Sequence, residues 1–408
     1  MLEKLYPRGR FRVSCLPLLG RYVEEFATWL VAQGYPPLPI RLRLRELSRV
    51  DEMLRLRGAV DVADLTAADL LSLAPKDSQE DVYLAAVVRS LARCLSAGGR
   101  LCVPPPTACE ALVEAYATVL GRVRGLASST QTYHRATASE FLTHVGFKGD
   151  DACLRAIGTR TIDTFLRRIG PRLARASLQH TVAHLRSFLR FLASRGLVEA
   201  GLDTRIDTPR LYRGEQLPRT LPWEVIRKFL ASINRATAMG KRDYAIFILV
   251  VTYGLRTSEV ASLRLDDIQW RTGQLRVARP KTRRPLVLPL TKEVGAAVID
   301  YLRHGRPASI HREVFLRARA PAGALKPTAV TEAFQGWSRR SNLPIAYKGP
   351  HCLRHSLAVH LLRQGATLKA IGDLLGHRSI ESTCVYLRLH VEDLRDVALN
   401  LPPQQVRS

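Results

Sequence analysis

Between residues 351 and 386 the chain reads HCLRHSLAVHLLRQGATLKAIGDLLGHRSIESTCVY. His351 and Arg354 lie three residues apart, with His355 one further, on what reads as one helical face. Gly376-His377 follows an apolar helix, and Tyr386 comes nine residues after that histidine. Three imidazoles, a guanidinium and a phenol suit a phosphodiester better than a fold core. A guanidinium donates paired hydrogen bonds to phosphate oxygens, an imidazole moves protons near neutral pH, and a phenol can attack phosphorus. The set lacks a second arginine, a general acid and a surface that holds nucleic acid.

The first two have candidates upstream. At Gly254-Leu255-Arg256-Thr257-Ser258-Glu259 a buried helix stops and another starts, which sets Arg256 at a helix N-terminus where backbone N–H groups favour an anion. Lys281 falls in a turn between two strands, where an ammonium can reach a groove and donate a proton. Each residue alone has a plainer reading. Arg256 could be a surface arginine beside a capping box, Lys281 a solvated turn residue and Tyr386 a core tyrosine. His355 and His360 are read as structural histidines held in the core. His351 and His355 share the i, i+4 spacing of H-E-x-x-H zinc sites. Position 352 is cysteine rather than glutamate, however, and Arg354 sets a cation beside any metal, so no metal and no cofactor is expected. What favours chemistry is the joint order Arg, Lys, His-x-x-Arg, His, Tyr.

Composition supplies the partner. Lys and Arg total 62 against 36 Asp and Glu, a formal net charge of +26. Such an excess implies a polyanion, either nucleic acid or an anionic membrane surface. No run of about 18 apolar residues and no N-terminal apolar segment appears, which turns the expectation to double-stranded DNA and a cytoplasmic, nucleoid-associated protein. The seven cysteines are odd in number and never spaced C-x-x-C, so a disulfide framework or structural zinc is not expected.

At 408 residues the chain has room for two or three domains. Residues 1–103 read as a helical N-terminal unit, after a patternless stretch through residue 17, and Val103-Pro104-Pro105-Pro106 marks its boundary. Residues 104–200 read as a second helical unit. Its last helix is the clearest, with Leu178, Val182, Leu185, Phe188, Leu189 and Leu192 on one face. Residues 201–221 are aperiodic and proline-bearing, as a linker should be. From residue 222 helices resume around three short strands, Ile268–Trp270, Gln274–Val277 and Leu286–Leu288, the first two joined by a turn at Arg271-Thr272-Gly273. The expected fold is mainly α with a small antiparallel sheet.

GLRTSEVASL, the hairpin Lys281, HCLRHSLAVHLL, LLGHRS and Tyr386, in that order, closely resemble the tyrosine recombinase (phage integrase) family. The turn after Lys281 lacks a glycine, a departure from the family pattern. The resemblance implies a helical core-binding, DNA-clamping domain over 104–200 and an α+β catalytic domain over 222–400, with 401–408 a tail and 1–103 an accessory or second core-binding-like unit. It implies that Tyr386 is the nucleophile, leaving a 3′-phosphotyrosyl enzyme and a free 5′-hydroxyl. Arg256 and Arg354 would hold the non-bridging oxygens, Lys281 would be the general acid, and His351 and His377 would bond the phosphate or move protons. It further implies a site-specific recombinase working without metal or ATP for a mobile element, and a homo-tetramer coupled through the amphipathic helix expected at 387–400. Type IB topoisomerases share the chemistry, and a DNA-binding protein that has lost catalysis is the rival of another class; the core-binding unit and the complete residue set speak against them.

Overall fold

The computed structural model describes residues 1–7, 9–75, 82–210, 218–279, 285–377 and 379–387. Two compact units form, Met1–Leu101 with Gln216–Ser408, and Cys102–Glu215.

The N-terminal segment is helical: α1 (Leu2–Leu5), α2 (Arg10–Ser14), α3 (Val23–Ala32), α4 (Pro37–Leu56), α5 (Ala67–Leu71) and α6 (Val82–Ala97). Helix α4 starts with Pro37 in its first turn, where a missing N–H costs nothing. It buries Leu44, Leu47, Val50 and Leu54 at helical spacing. Asp51, on the same face, accepts hydrogen bonds from the backbone of Leu18 and Leu19 at 3.0 and 2.7 Å. Residues 1–17, expected to be irregular, instead hold α1 and α2 and bury Leu2 and Val13. Helices of four and five residues are too short to show a period.

The second unit contains α7 (Ala108–Arg122), α8 (Ser128–Val145), α9 (Asp151–Arg155), α10 (Thr159–Ile169) and α11 (Arg175–Ser194). Thr107 and Glu110 form a reciprocal capping box that starts α7, and Gly146 at φ +77° closes α8. Tyr116, Phe141, Phe165 and Phe188 fill the core. Val198, Leu202 and Ile206 join that core. The first part of the stretch read as linker is therefore packed, by apolar residues too few to reveal a repeat.

In the segment from residue 218, α12 (Trp223–Ala231), α13 (Ala238–Tyr253) and α14 (Thr257–Ala261) precede a sheet of β1 (Ile268–Gln269), β2 (Gln274–Val277) and β3 (Leu286–Pro289). The strands pair antiparallel in the order β1-β2-β3, with Ile268 opposite Leu275 and Leu275 opposite Leu288. Those residues and Val277 face the core, while Gln274, Arg276 and Val287 face solvent. Then come α15 (Lys292–His304), α16 (Pro327–Ser341), α17 (His351–Arg363), α18 (Leu368–Leu375) and α19 (Glu381–Cys384). Helix α13 is apolar on every side from Ala245 to Val251, and all seven residues are buried, so it forms the centre of this core. Asp243 in its second turn accepts from Arg242 and from Trp337 Nε1 at 2.9 Å, tying α13 to α16. Among the described residues no helix is long and apolar enough to cross a membrane.

Candidate active site

Helix α13 ends at Gly254, whose φ of +64° is the left-handed conformation that favours glycine. A Cβ there would lie 2.4 Å from Leu375 Cδ2, so any larger residue would also have to shift that side chain of α18. The turn delivers Arg256 to the N-terminus of α14. Glu259, one turn into that helix and only 5% exposed, accepts from the Arg256 backbone N–H at 2.8 Å and from its Nη1 at 2.7 Å. Its carboxylate thus holds the guanidinium in place while a third of that side chain stays exposed.

Among the described residues Arg354 is the largest fully buried side chain. Its Nη2 donates to the Leu375 carbonyl at 2.5 Å and its Nη1 to the Gly254 carbonyl. These are terminal carbonyls of α18 and the cap of α13, groups that have no partner within their own helices. Burial, then Arg256, pulls the Arg354 pKa down to about 10, so it remains a cation at neutral pH. Arg279, just past β2 and also buried, donates to the Leu374 carbonyl at 2.8 Å and lies 3.8 Å from Glu259. Three guanidiniums against one carboxylate leave the cluster at +2, which suits a phosphodiester gaining charge as it is attacked.

Gly376 ends α18 at φ +64°, and a Cβ at that position would sit 1.7 Å from Arg279 Nη1. The turn carries His377, whose Nδ1 pairs with Thr383 Oγ1 at 2.8 Å. Tyr386 follows α19 and is 1% exposed. The His377 ring stacks beside the phenol at 6.2 Å and 18°. The phenol oxygen itself is 2.8 Å from His355 Nδ1. His351, one turn earlier on α17 and open to solvent at its edge, meets the His355 ring edge-on at 4.4 Å.

Every imidazole here is shifted towards neutrality. Burial is the leading cause for His355 and His377, each lowered to about 4, and for His351. Neighbouring guanidiniums and imidazoles add to the effect. Burial raises the Tyr386 pKa, against the opposing pull of Arg354 and Arg256. The phenol is therefore protonated at neutral pH and surrounded by uncharged bases and fixed cations.

The structure brings Arg256, His351, Arg354, His377 and Tyr386 together; Lys281 lies outside the described residues. The sequence alone gives no site role to three further members. Glu259 sat in the quoted GLRTSE segment as a cap and nothing more. Arg279 is two residues from Lys281 but carries no motif of its own. His355 was assigned to the core, although its i+4 position from His351 already placed it on the same face. Among the described residues no three His, Cys, Asp or Glu side chains are grouped to hold a metal.

Residues 219–393 match the phage integrase family model. A putative integrase/recombinase y4rA of Sinorhizobium fredii is 31% identical over 391 residues, covering 93% of this chain and 94% of that protein. A tyrosine recombinase XerD of Lacticaseibacillus casei is 31% identical over 284 residues, 66% of this chain and 91% of that one. Among solved structures, a XerH site-specific recombinase bound to palindromic difH substrate aligns at TM-score 0.55 and 18% identity over 70% of this chain and 83% of that one. A lambda integrase tetramer bound to a Holliday junction aligns at TM-score 0.53 and 16% identity, over 76% and 87%. These structural likenesses speak for the fold. With sequence identity sustained over nearly the whole length, the chain belongs to the tyrosine recombinase (phage integrase) family and is a site-specific DNA recombinase.

Proposed function

We propose that Tyr386 is the nucleophile of DNA strand cleavage and rejoining. The observation that carries this reading is a buried phenol beside an uncharged imidazole, in the field of Arg256 and Arg354. Its oxygen attacks the scissile phosphorus, forming a 3′-phosphotyrosyl bond and expelling the 5′-oxygen. A phenol is a better leaving group than an alkyl alcohol, so the 5′-hydroxyl of the same or another strand can reverse the step without ATP. Arg256 and Arg354 bind the non-bridging oxygens and stabilise the pentavalent transition state. Lys281 protonates the departing 5′-oxygen. His351, with its solvent-open edge, and His377 hydrogen-bond the phosphate. The guanidiniums supply the charge that a divalent metal would otherwise supply, so no metal is required.

The remaining assignments concern partners. Residues 104–200 clamp duplex DNA as a core-binding domain, which their basic helices favour. Residues 222–400 perform catalysis and residues 1–103 form an accessory unit. The active assembly is a homo-tetramer on paired recombination sites, an arrangement for which the lambda integrase tetramer on a Holliday junction is a precedent. The helix expected at 387–400, beyond the described residues from 388 on, docks on a neighbouring protomer. The enzyme acts in the cytoplasm on the nucleoid, in the service of a mobile element.

The test uses nicked suicide duplexes tiled from the DNA flanking the gene, incubated with the full chain in EDTA. A covalent protein–DNA adduct should accumulate. Tyr386→Phe should abolish it while leaving salt-sensitive DNA binding intact. Adduct formation that needs magnesium, or survives the substitution, contradicts the mechanism.

A further inference from the structure

The nucleophile needs a base. Its phenol is protonated at neutral pH, and attack on phosphorus requires the proton to leave as the bond forms. Three imidazoles surround it, and they differ in where their nitrogens point. His377 lies parallel to the phenol, and its Nδ1 is taken by Thr383 Oγ1. His351 meets the edge of His355 rather than the phenol. His355 brings a ring nitrogen, Nδ1, to 2.8 Å from the Tyr386 oxygen, with its ring tilted 55° to the phenol.

Resting on Tyr386 as the nucleophile, we propose that His355 is a catalytic residue that takes the Tyr386 proton during cleavage and returns it during rejoining. In the tautomer with its proton on Nε2, His355 offers the Nδ1 lone pair to the phenol. The proton passes from the tyrosine oxygen to Nδ1 as the oxygen–phosphorus bond forms. The bond from phosphorus to the 5′-oxygen breaks, and that oxygen takes a proton from the general acid. Rejoining runs the same steps backwards, so protons and charge balance over the cycle.

The surroundings fit this role. The charged and titratable groups facing His355 are His351 and Arg354 on its own helix, His377 from the turn after α18, and Tyr386 itself; Arg256, Arg279 and the Glu259 carboxylate act on these neighbours. None of the groups that act on His355 itself is an anion, and burial together with them holds it neutral in the free enzyme, its pKa lowered to about 4. An imidazolium formed there meets like charges until a phosphate is bound between the guanidiniums. Proton transfer is thereby coupled to DNA occupancy, and the free enzyme carries no reactive phenolate.

His355→Asn keeps an oxygen near the Nδ1 position but cannot take up a proton. On the suicide duplex it should form adduct about 100- to 1,000-fold more slowly, with unchanged DNA affinity. Its rate should climb with pH towards the phenol's own ionisation, where the wild type has levelled off. Difluorotyrosine at position 386, which ionises at lower pH, should recover most of the loss. An adduct rate within threefold of wild type with the same pH profile, or no recovery by the fluorinated residue, overturns the proposal and leaves His355 a packing residue. ¹⁵N spectra of the wild-type histidines give an answer that survives misfolding of the variant: a proton on Nδ1 of His355 in the free enzyme contradicts the proposal, and a proton on Nε2 supports it. Wild-type adduct that persists in Tyr386→Phe would instead sink the choice of nucleophile.

Discussion

Among the described residues two buried tyrosines each meet a histidine at the same distance. In the second unit Tyr116 meets His134 Nδ1 at 2.8 Å; near the C-terminus Tyr386 meets His355 Nδ1 at 2.8 Å. Both tyrosines are 1% exposed, and both histidines are lowered to about 4, chiefly by burial. What differs is the company. Tyr116 packs against Phe188 and Phe191 with ring centroids 5.0 and 5.2 Å away, and burial pushes its pKa up to about 12. The guanidiniums that act on it, Arg124 and Arg190, belong to exposed side chains, and Arg124 is tied to Ser187. Tyr386 instead lies among Arg354, buried on two helix-terminal carbonyls, and Arg256, clamped by Glu259. A buried hydrogen-bonded phenol is thus ordinary core chemistry. Fixed cations around it make it a candidate nucleophile.

The comparison can be broken by exchanging substitutions between the pairs. Tyr386→Phe should eliminate covalent adduct, whereas Tyr116→Phe should cleave normally. The latter should lose about 1–3 kcal/mol in denaturant unfolding, because His134 is left without its partner. Arg354→Met should slow adduct formation about 100-fold or more and also destabilise the fold, since the Gly254 and Leu375 carbonyls lose their donor. Arg124→Met should leave the cleavage rate within twofold on the same duplex, once DNA is saturating.

Two left-handed glycines extend the contrast. Gly376→Ala must displace the Arg279 guanidinium and strains, at φ +64°, the turn that carries His377, so adduct formation should fall about 10-fold or more. Gly146→Ala in the second unit meets nothing within 4 Å. It should cost about 1 kcal/mol of stability from backbone strain alone, with single-turnover cleavage unaffected.

Acid stability is where the two pairs should behave alike. His134, His355 and His377 have folded pKa values near 4, below the ordinary 6.5. Between those values the unfolded chain binds more protons than the folded one, so stability falls as pH drops from about 6.5 towards 4. His134→Gln should flatten that slope in pH-dependent melting. An unchanged slope would mean that His134 is not held neutral.

Much of the candidate site was legible because the proposed chemistry uses rare residue types in a fixed order. His351, Arg354, His377 and Tyr386 could be named from spacing, and Arg256 from the end of an apolar helix. The three strands and the long helices were legible from alternation and helical period, as in α13 and α11. The missing parts are those that need three dimensions. Arg279 meets Leu374 across 95 residues of chain, and His355 meets Tyr386 across 31. No local pattern distinguishes such a histidine from one satisfied in the core, which is where the sequence placed it. Leu202 and Ile206 were missed for the same reason, since their burial depends on a core assembled elsewhere.

The most direct test of the account is to map the covalent bond. Adduct trapped on the suicide duplex, digested with nuclease and trypsin, should yield a nucleotide-bearing peptide Ser379–Arg388, SIESTCVYLR, with the phosphate on its single tyrosine. Fragmentation that places the phosphate on Tyr386 is the predicted result. A phosphate on a serine or threonine of that peptide, or on Tyr253 or Tyr347 elsewhere in the chain, would contradict it.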